Sequence, residues 1–375
     1  MKLLPIYRNM IDNKTLDIEW INEVSAKNRK ADKILVEKVI RALYLLEGLV
    51  KVDLEFVFKG GTALMLLMDS SKRLSIDIDI ILQNEPEDIE KLFNELVSQQ
   101  SFTKFKLQHR STESKIKKAH YKFYYKPIHQ THSEEEYILL DILFEKPNYQ
   151  RIIELPINSK FLISNDKEVA VQVPSHEDIL GDKLTAFAPN TTGIPYFKSE
   201  HSMSMEIIKQ LYDIASLVDV VSNMELVNET FKIFSKTELV YRKKDNLNYN
   251  DVLEDIIQTS LCIVSRGVAG IGDFNELQAG IQRVSRYIFS EPFHLEIAIT
   301  LASKAAYIAI AIRYNQKKFE RFNNPLQMKE WTIVDPLWPR LNRLKKSNPE
   351  AFFYWFKIHE LIKENNGPSN STLHQ

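Results

Sequence analysis

The chain has 375 residues, 44% of them hydrophobic, with 49 basic against 50 acidic side chains. That length can bury a sizeable core and favours two domains over one, and the balanced charge excludes a molecule that attracts nucleic acid as a whole, so any such surface must be a local patch. A single cysteine, Cys262, excludes an internal disulfide framework and a cysteine zinc cluster; its apolar, helix-like surroundings predict a buried thiol.

The opening segment MKLLPIYRNMIDNKTLDIEW lacks the long apolar core of a signal peptide. No run is expected to reach the length of a membrane span, which predicts a cytoplasmic protein with no membrane partner. Residues 17–50 repeat apolar side chains at three- and four-residue steps and predict helix. EFVFK (55–59) predicts a short strand, GTALMLL the start of a helix, SIDIDIIL (75–82) a strand, and EPEDIEKLFNELVSQQ (85–100) an amphipathic helix opened by Pro86 and acidic residues. Four strand-like runs follow, SFTKFKLQH, AHYKFYYKP, EYILLDILFE and KEVAVQV, dense in β-branched and aromatic residues. The fold class predicted for residues 1–175 is therefore α+β with a mixed or antiparallel sheet. From 176 to 365 nearly every periodic segment is helical, which predicts a second, all-helical domain. The polar end, 366–375, is expected to be disordered.

Two features inside the first domain ask for more than packing. Strand alternation puts Asp77 and Asp79 on one face, about 7 Å apart along the chain, and neighbouring carboxylates repel unless a cation lies between them. Magnesium suits such a pair, because it is held by one or two carboxylates together with substrate phosphates. Upstream, Gly60 and Gly61 lack a Cβ, so backbone can approach a ligand closely. The N–H groups opening the following helix form a phosphate seat to which Thr62 can add a hydroxyl. Arg73, with Lys72, could grip a further phosphate oxygen, and Ser75 joins the same nucleotide-binding set. Asp141 is a third carboxylate inside an apolar strand, where burial is unfavourable without a metal or partner; Glu145 or Glu136 could take its place. The chemistry that fits is in-line attack on a nucleoside triphosphate. Asp77 and Asp79 would hold magnesium against the triphosphate and leaving pyrophosphate, while Asp141 would share a second ion and help deprotonate the attacking hydroxyl.

The series KGGTAL…RLSIDIDI resembles the signature of the AbiEii/AbiGii toxin family of nucleotidyltransferases. That family belongs to the polymerase β-like nucleotidyltransferase superfamily and occurs in type IV toxin–antitoxin and phage-defence systems. EDILGDKLTAFA resembles its EKL-x-A helix around Lys183, and KQLYDIASL resembles its RDLYDL element, with Asp213 as the second aspartate; Lys209 and Gln210 stand where the family has arginine and aspartate. The resemblance spans about residues 55–217. It implies a nucleotidyltransferase domain over 1–175 and a helical domain that contributes to the active-site cleft. It also implies that Lys183 contacts the triphosphate and that Asp213 positions that lysine or the nucleotide. Two magnesium ions, an NTP substrate, a tRNA 3′ end as acceptor and a cognate antitoxin are implied with it.

Each feature has a plainer explanation to set beside this. GGT opens many helices, Lys183 and Asp213 could be surface charges, and Thr191, Thr192 and Gly193 could form either a loop near the nucleotide or a simple connector. His129 and His132 lie in a polar loop with no helix to align them and predict no zinc site. From Thr103 to Lys126 the sequence carries eight lysines or arginines against one glutamate, interleaved with Phe and Tyr, which suits phosphate contact and base stacking. Lysines that guard a sheet edge explain the charges as well. A second basic cluster, PRLNRLKKSNPEAFFYWF, runs from 339 to 356. An acceptor other than RNA, either a small molecule or a protein hydroxyl, and a non-catalytic nucleotide-binding module are the competing readings.

Overall fold

A computed structural model describes residues 10–68, 73–108, 117–129, 133–165, 169–334 and 338–366. Two compact units divide the chain. The first holds residues up to Ser175 together with Ser285–Pro292, and the second holds His176–Val284 and the chain from Phe293 onward. The short return of 285–292 to the first unit has a local cause: Leu74 N–H donates to the Tyr287 carbonyl at 2.8 Å, and Arg73 forms a β-bridge with Ile288.

In the first unit the expected 17–50 helix is two helices, α1 (Ile18–Lys27) and α2 (Lys33–Lys51). Arg29 and Lys30 adopt left-handed φ of 55° and 58° and break the run. Asp32 restarts it by accepting from the Ile34 and Leu35 N–H groups, the usual remedy for unpaired donors at a helix start. Next come β1 (Val57–Lys59), α3 (Gly60–Leu67), β2 (Ile78–Leu82), α4 (Ile89–Gln99), β3 (Lys104–Leu107), β4 (Lys118–Tyr125), β5 (Glu136–Phe144), β6 (Ile152–Pro156) and β7 (Ala170–Pro174). The seven strands form one mixed sheet in the order β3-β4-β5-β2-β1-β7-β6. The β5/β2 and β1/β7 pairs are parallel and the rest antiparallel. Asp88, rather than Pro86, caps α4, its side chain accepting from Lys91 N–H.

Period-two alternation assigns the two faces of the sheet. Ile78, Ile80 and Leu82, Tyr121, Phe123 and Tyr125, and Ile138, Leu140 and Ile142 are all buried on the face against which α2 and α4 pack. Phe93 of α4 meets Phe105, Tyr121 and Phe123 edge-on at 5.5, 4.9 and 5.2 Å. Two buried glutamates on α2 fix distant backbone: Glu47 accepts from the Met10 and Ile11 N–H groups, and Glu37 from Ile128 N–H.

The second unit is built from α5 (His176–Ala186), α6 (Ser204–Val218), α7 (Met224–Tyr241), α8 (Tyr249–Val264), α9 (Phe274–Val284), α10 (Leu295–Arg313), the single turn α11 (Leu344–Ser347) and α12 (Pro349–Asn366), and among the described residues it departs from the all-helical expectation only in a short antiparallel ladder of Phe197–Lys198 with His201–Ser202. Contrary to the sequence expectation, one helix, α10, is long and apolar enough to cross a membrane by length and composition; 72% of its apolar window is buried. It packs on α8, α6 and α12, and a helix apolar on all sides is what the centre of a helical unit requires. Its one buried cation, Lys304, is paired with Asp219 at 2.7 Å and Glu350 at 3.2 Å. Most aromatic residues of the second basic cluster belong to the core: Phe352, Phe353, Tyr354 and Trp355 are buried, and Phe356 is half-buried. Of the segment 366–375, expected to be disordered, Asn366 ends α12 and the rest lies outside the described residues.

Candidate active site

Strand β1 ends at Lys59 and α3 begins at once with Gly60, whose φ of 81° is open to glycine and strained for other residues. No side chain caps this helix start. A Cβ on Gly60 would lie 2.1 Å from Asp79 Oδ2, and one on Gly61 would lie 2.6 Å from Ser75 Oγ and 2.8 Å from an Arg73 guanidinium nitrogen. The two missing side chains are thus the reason Asp79, Ser75 and Arg73 can close on the α3 N-terminus. Arg73 is buried and donates to the Leu74 carbonyl at 3.1 Å. Thr62 departs from expectation: it is fully buried and its hydroxyl donates to the Asp77 carbonyl at 2.6 Å, so it orders the chain entering β2 instead of meeting a phosphate.

The predicted strand 75–82 is shorter than expected, starting at Ile78. β1 pairs only with residues 79–81, and β5 pairing starts at Ile78, so residues 75–77 have no ladder to join. Asp77 consequently sits exposed just before the strand, while Asp79 is half-buried within it. Asp79 lies directly opposite Lys59 on β1 and Asp141 on β5, and Asp141 lies opposite His120 on β4. Neighbouring strands run about 4.8 Å apart, so Lys59, Asp79, Asp141 and His120 stand abreast on the face opposite to α2 and α4. His120 Nδ1 is 2.6 Å from Asp141 Oδ1.

This register separates the three candidates for the third carboxylate. Glu136 falls on the other face and pairs with Lys38 of α2 at 2.9 Å. Glu145 follows the end of β5, its N–H bonded to the Leu82 carbonyl, about 13 Å along the strand from Asp141 at 3.3 Å per residue. Among the described residues no three His, Cys, Asp or Glu groups are gathered closely enough to enclose a metal ion by themselves. Magnesium does not require such a cage, since substrate phosphates supply the remaining oxygens. The donor set therefore fits: hard carboxylates lie beside a Cβ-free helix start. His120 is the neighbour that sequence reading passed over. Its partner is 21 residues away and only the β4/β5 register joins them.

In the second unit Lys183 of α5 and Asp213 of α6 form a buried ion pair at 2.8 Å, and Lys183 also donates to Gln210 Oε1 at 3.2 Å. Gln210, at the position of the resemblance's first aspartate, thus serves the lysine as a neutral acceptor. Lys209 pairs with Glu206. The loop of Thr191, Thr192 and Gly193 takes the connector role: Asp255 accepts from Asn190 N–H and Nδ2 and from Thr191 N–H and Oγ1, while Thr192 donates to the Thr185 carbonyl. Burial holds the Asp255 pKa above the ordinary carboxylate value despite those donors. Lys72 and His132 lie outside the described residues.

A model of the family described as nucleotidyl transferase AbiEii toxin, type IV toxin–antitoxin system, matches residues 42–322. Two solved structures are similar. One is a candidate nucleotidyltransferase from H. pylori, at 17% identity and a TM-score of 0.42, covering 78% of this chain and 100% of that one. The other is JHP933 from Helicobacter pylori, at 16% identity and 0.40, covering 80% and 94%. No curated protein matches the chain.

Proposed function

Because the chain belongs to the AbiEii family of nucleotidyl transferase toxins, we propose that it moves a nucleoside monophosphate from an NTP to an RNA hydroxyl, the 3′ end of a tRNA, with release of pyrophosphate. The observation that carries this reading is the closure of Asp79, Ser75 and Arg73 on the glycine pair, with Asp141 in register beside Asp79.

Gly60 and Gly61 open α3, whose positive end would seat an anion, and Arg73 and Ser75, which lie against Gly61, would add donors at the same point. Asp77 and Asp79 would hold magnesium, with Asp141 as the third ligand; when bound, the metal would supply charge neutralisation for the triphosphate and the departing pyrophosphate. Asp141 Oδ1 lies 2.6 Å from His120 Nδ1, which leaves Oδ2 for the ligand role, from where Asp141 would help deprotonate the attacking hydroxyl. Asp213 and Gln210 hold the Lys183 ammonium in place, and the resemblance assigns that ammonium to a triphosphate. The family is one of toxin–antitoxin systems, so a cognate antitoxin is the expected protein partner.

The test is incubation with labelled NTPs and total RNA. Label is expected in tRNA, dependent on Mg2+, and Asp77→Ala is expected to abolish NTP consumption. Label appearing in a protein or a small molecule would replace the RNA acceptor, and intact NTP with the wild-type chain would overturn the enzyme reading.

A further inference from the structure

The face that carries Asp79 and Asp141 continues sideways and toward the start of β5. In register order it presents His120, Lys122 and Tyr124 on β4, Tyr137, Leu139 and Asp141 on β5, and Lys104 and Lys106 on β3. These side chains form one cluster. Lys122 lies over the Tyr137 ring at 4.1 Å, Lys104 and Lys106 lie over Tyr124 at 5.1 and 5.8 Å, and the two tyrosine rings are 5.9 Å apart. Tyr137 is exposed, Lys106 and Lys118 are exposed, and Lys122 and Tyr124 are half-buried.

Guarding a sheet edge explains lysines on β3, the edge strand, and Lys104 is in addition held by Glu135. It does not explain Lys122, one strand further in, or two partly open tyrosines on a face whose opposite side already holds the aromatic core. Cations that track a backbone and rings that accept bases are what a single-stranded nucleic acid needs. Asp79 and Asp141 stand on the same face, Asp141 about 13 Å along β5 from Tyr137, within reach of a few nucleotides. We propose that the strip formed by Lys106, Lys122, Tyr124 and Tyr137 is the platform on which the single-stranded end of the RNA acceptor lies, with its terminal hydroxyl directed toward Asp141. The proposal rests on the RNA-acceptor reading above and adds the residues that bind that acceptor. Bases stack on the two tyrosines and phosphates meet Lys106 and Lys122.

The full chain is titrated in EDTA, so that no transfer occurs, with a labelled single-stranded RNA oligonucleotide and with a blunt duplex of the same sequence. The single strand is expected to bind more tightly. Tyr124→Ala with Tyr137→Ala should weaken it about tenfold or more, and the Phe pair should restore it, since stacking needs the ring and not the hydroxyl. Lys106→Gln with Lys122→Gln should reduce the slope of log affinity against log salt by about 1.4, two phosphates at about 0.7 each. NTP affinity, measured on the same variants, reports that the fold survives. If the wild type labels tRNA and the tyrosine variants bind and react with RNA as it does, the platform is wrong while the enzyme reading stands. Single strand and duplex bound alike, with the tyrosines indifferent, would make the strip a general polyanion or protein contact and overturn the proposal. A wild type that transfers NMP but neither binds nor labels RNA removes the acceptor class and the platform together.

Discussion

At a φ of 81° Gly60 occupies backbone space that costs an L-residue about 1–2 kcal/mol, and a Cβ there would stand 2.1 Å from Asp79 Oδ2. Gly60→Ala must therefore displace the carboxylate as well as strain the turn. Transfer is expected to fall about a hundredfold, the scale at which a misplacement of about 1 Å acts, with only a modest fall in melting temperature; kcat at saturating NTP beside a thermal melt checks both. His120 gives a second test. It occupies one oxygen of Asp141 at 2.6 Å, and groups that orient a ligating carboxylate are worth about 10–100-fold in affinity or activity. His120→Ala should lose that much in kcat and in Mn2+ affinity, and His120→Asn, which keeps a donor, should recover part of both. The glycine pair stood out in sequence as a local anomaly in an apolar run, whereas the strand alternation expected of Asp77 and Asp79 does not reach Asp77, because β2 begins at Ile78. His120 did not stand out, because a lone histidine in a basic stretch gives no sign of which strand it will face, and Thr62 misled because sequence does not reveal that a hydroxyl is enclosed.

The elements whose pattern is least clear share a cause, a mismatch between apolar periodicity and burial. α7 leaves Ile233, Val240 and Tyr241 exposed while burying Thr230 and Ser235, so its periodicity is blurred. α9 buries only Leu277, Gly280, Ile281 and Val284, and β6 is an edge strand with no fully buried position. By contrast, the alternation in β4 and β5 matched their burial and was readable. Between α5 and α6, the pairing of Lys183 with Asp213 allows positioning to be separated from scaffolding. Both side chains are more than nine-tenths buried, and removing one partner of such a pair costs about 3–5 kcal/mol. Asp213→Ala should therefore lower the urea midpoint sharply, whereas Lys183→Met combined with Asp213→Leu should recover much of the stability. If the pair acts only as scaffold, the double variant regains transfer along with stability. If Lys183 serves the triphosphate, stability returns and transfer does not.

At the scale of the whole chain, composition indicated an α+β part followed by helices. It could not indicate that 285–292 folds back into the first unit, since that depends on single backbone bonds to Leu74 and Arg73. What departs from expectation in α10 is its apolar length, which results from burial on nearly every side. Around α10 lies a titrating cluster that predicts how the molecule responds to alkali. Tyr307 and Tyr354, both buried, have phenol pKa values pushed up to about 12 chiefly by burial. For Lys304, burial pulls the pKa down, but Asp219 and Glu350 outweigh it and hold the ammonium above its ordinary value. All three groups are raised in the folded state; the two phenols set a window between pH 10 and 12 in which the folded chain binds more protons than the unfolded one, and Lys304 acts in the same direction. Their contribution to stability is complete below the unfolded values, near 10, and is lost as pH rises through the folded ones. Each group removes up to about 1.4 kcal/mol per pH unit in that window. Denaturant midpoints should therefore hold steady from pH 7 to 9.5 and fall steeply above 10. Tyr307→Phe with Tyr354→Phe should flatten that fall, because neither ring then ionises in the unfolded chain; an unchanged slope in the double variant would assign the alkaline loss to groups elsewhere.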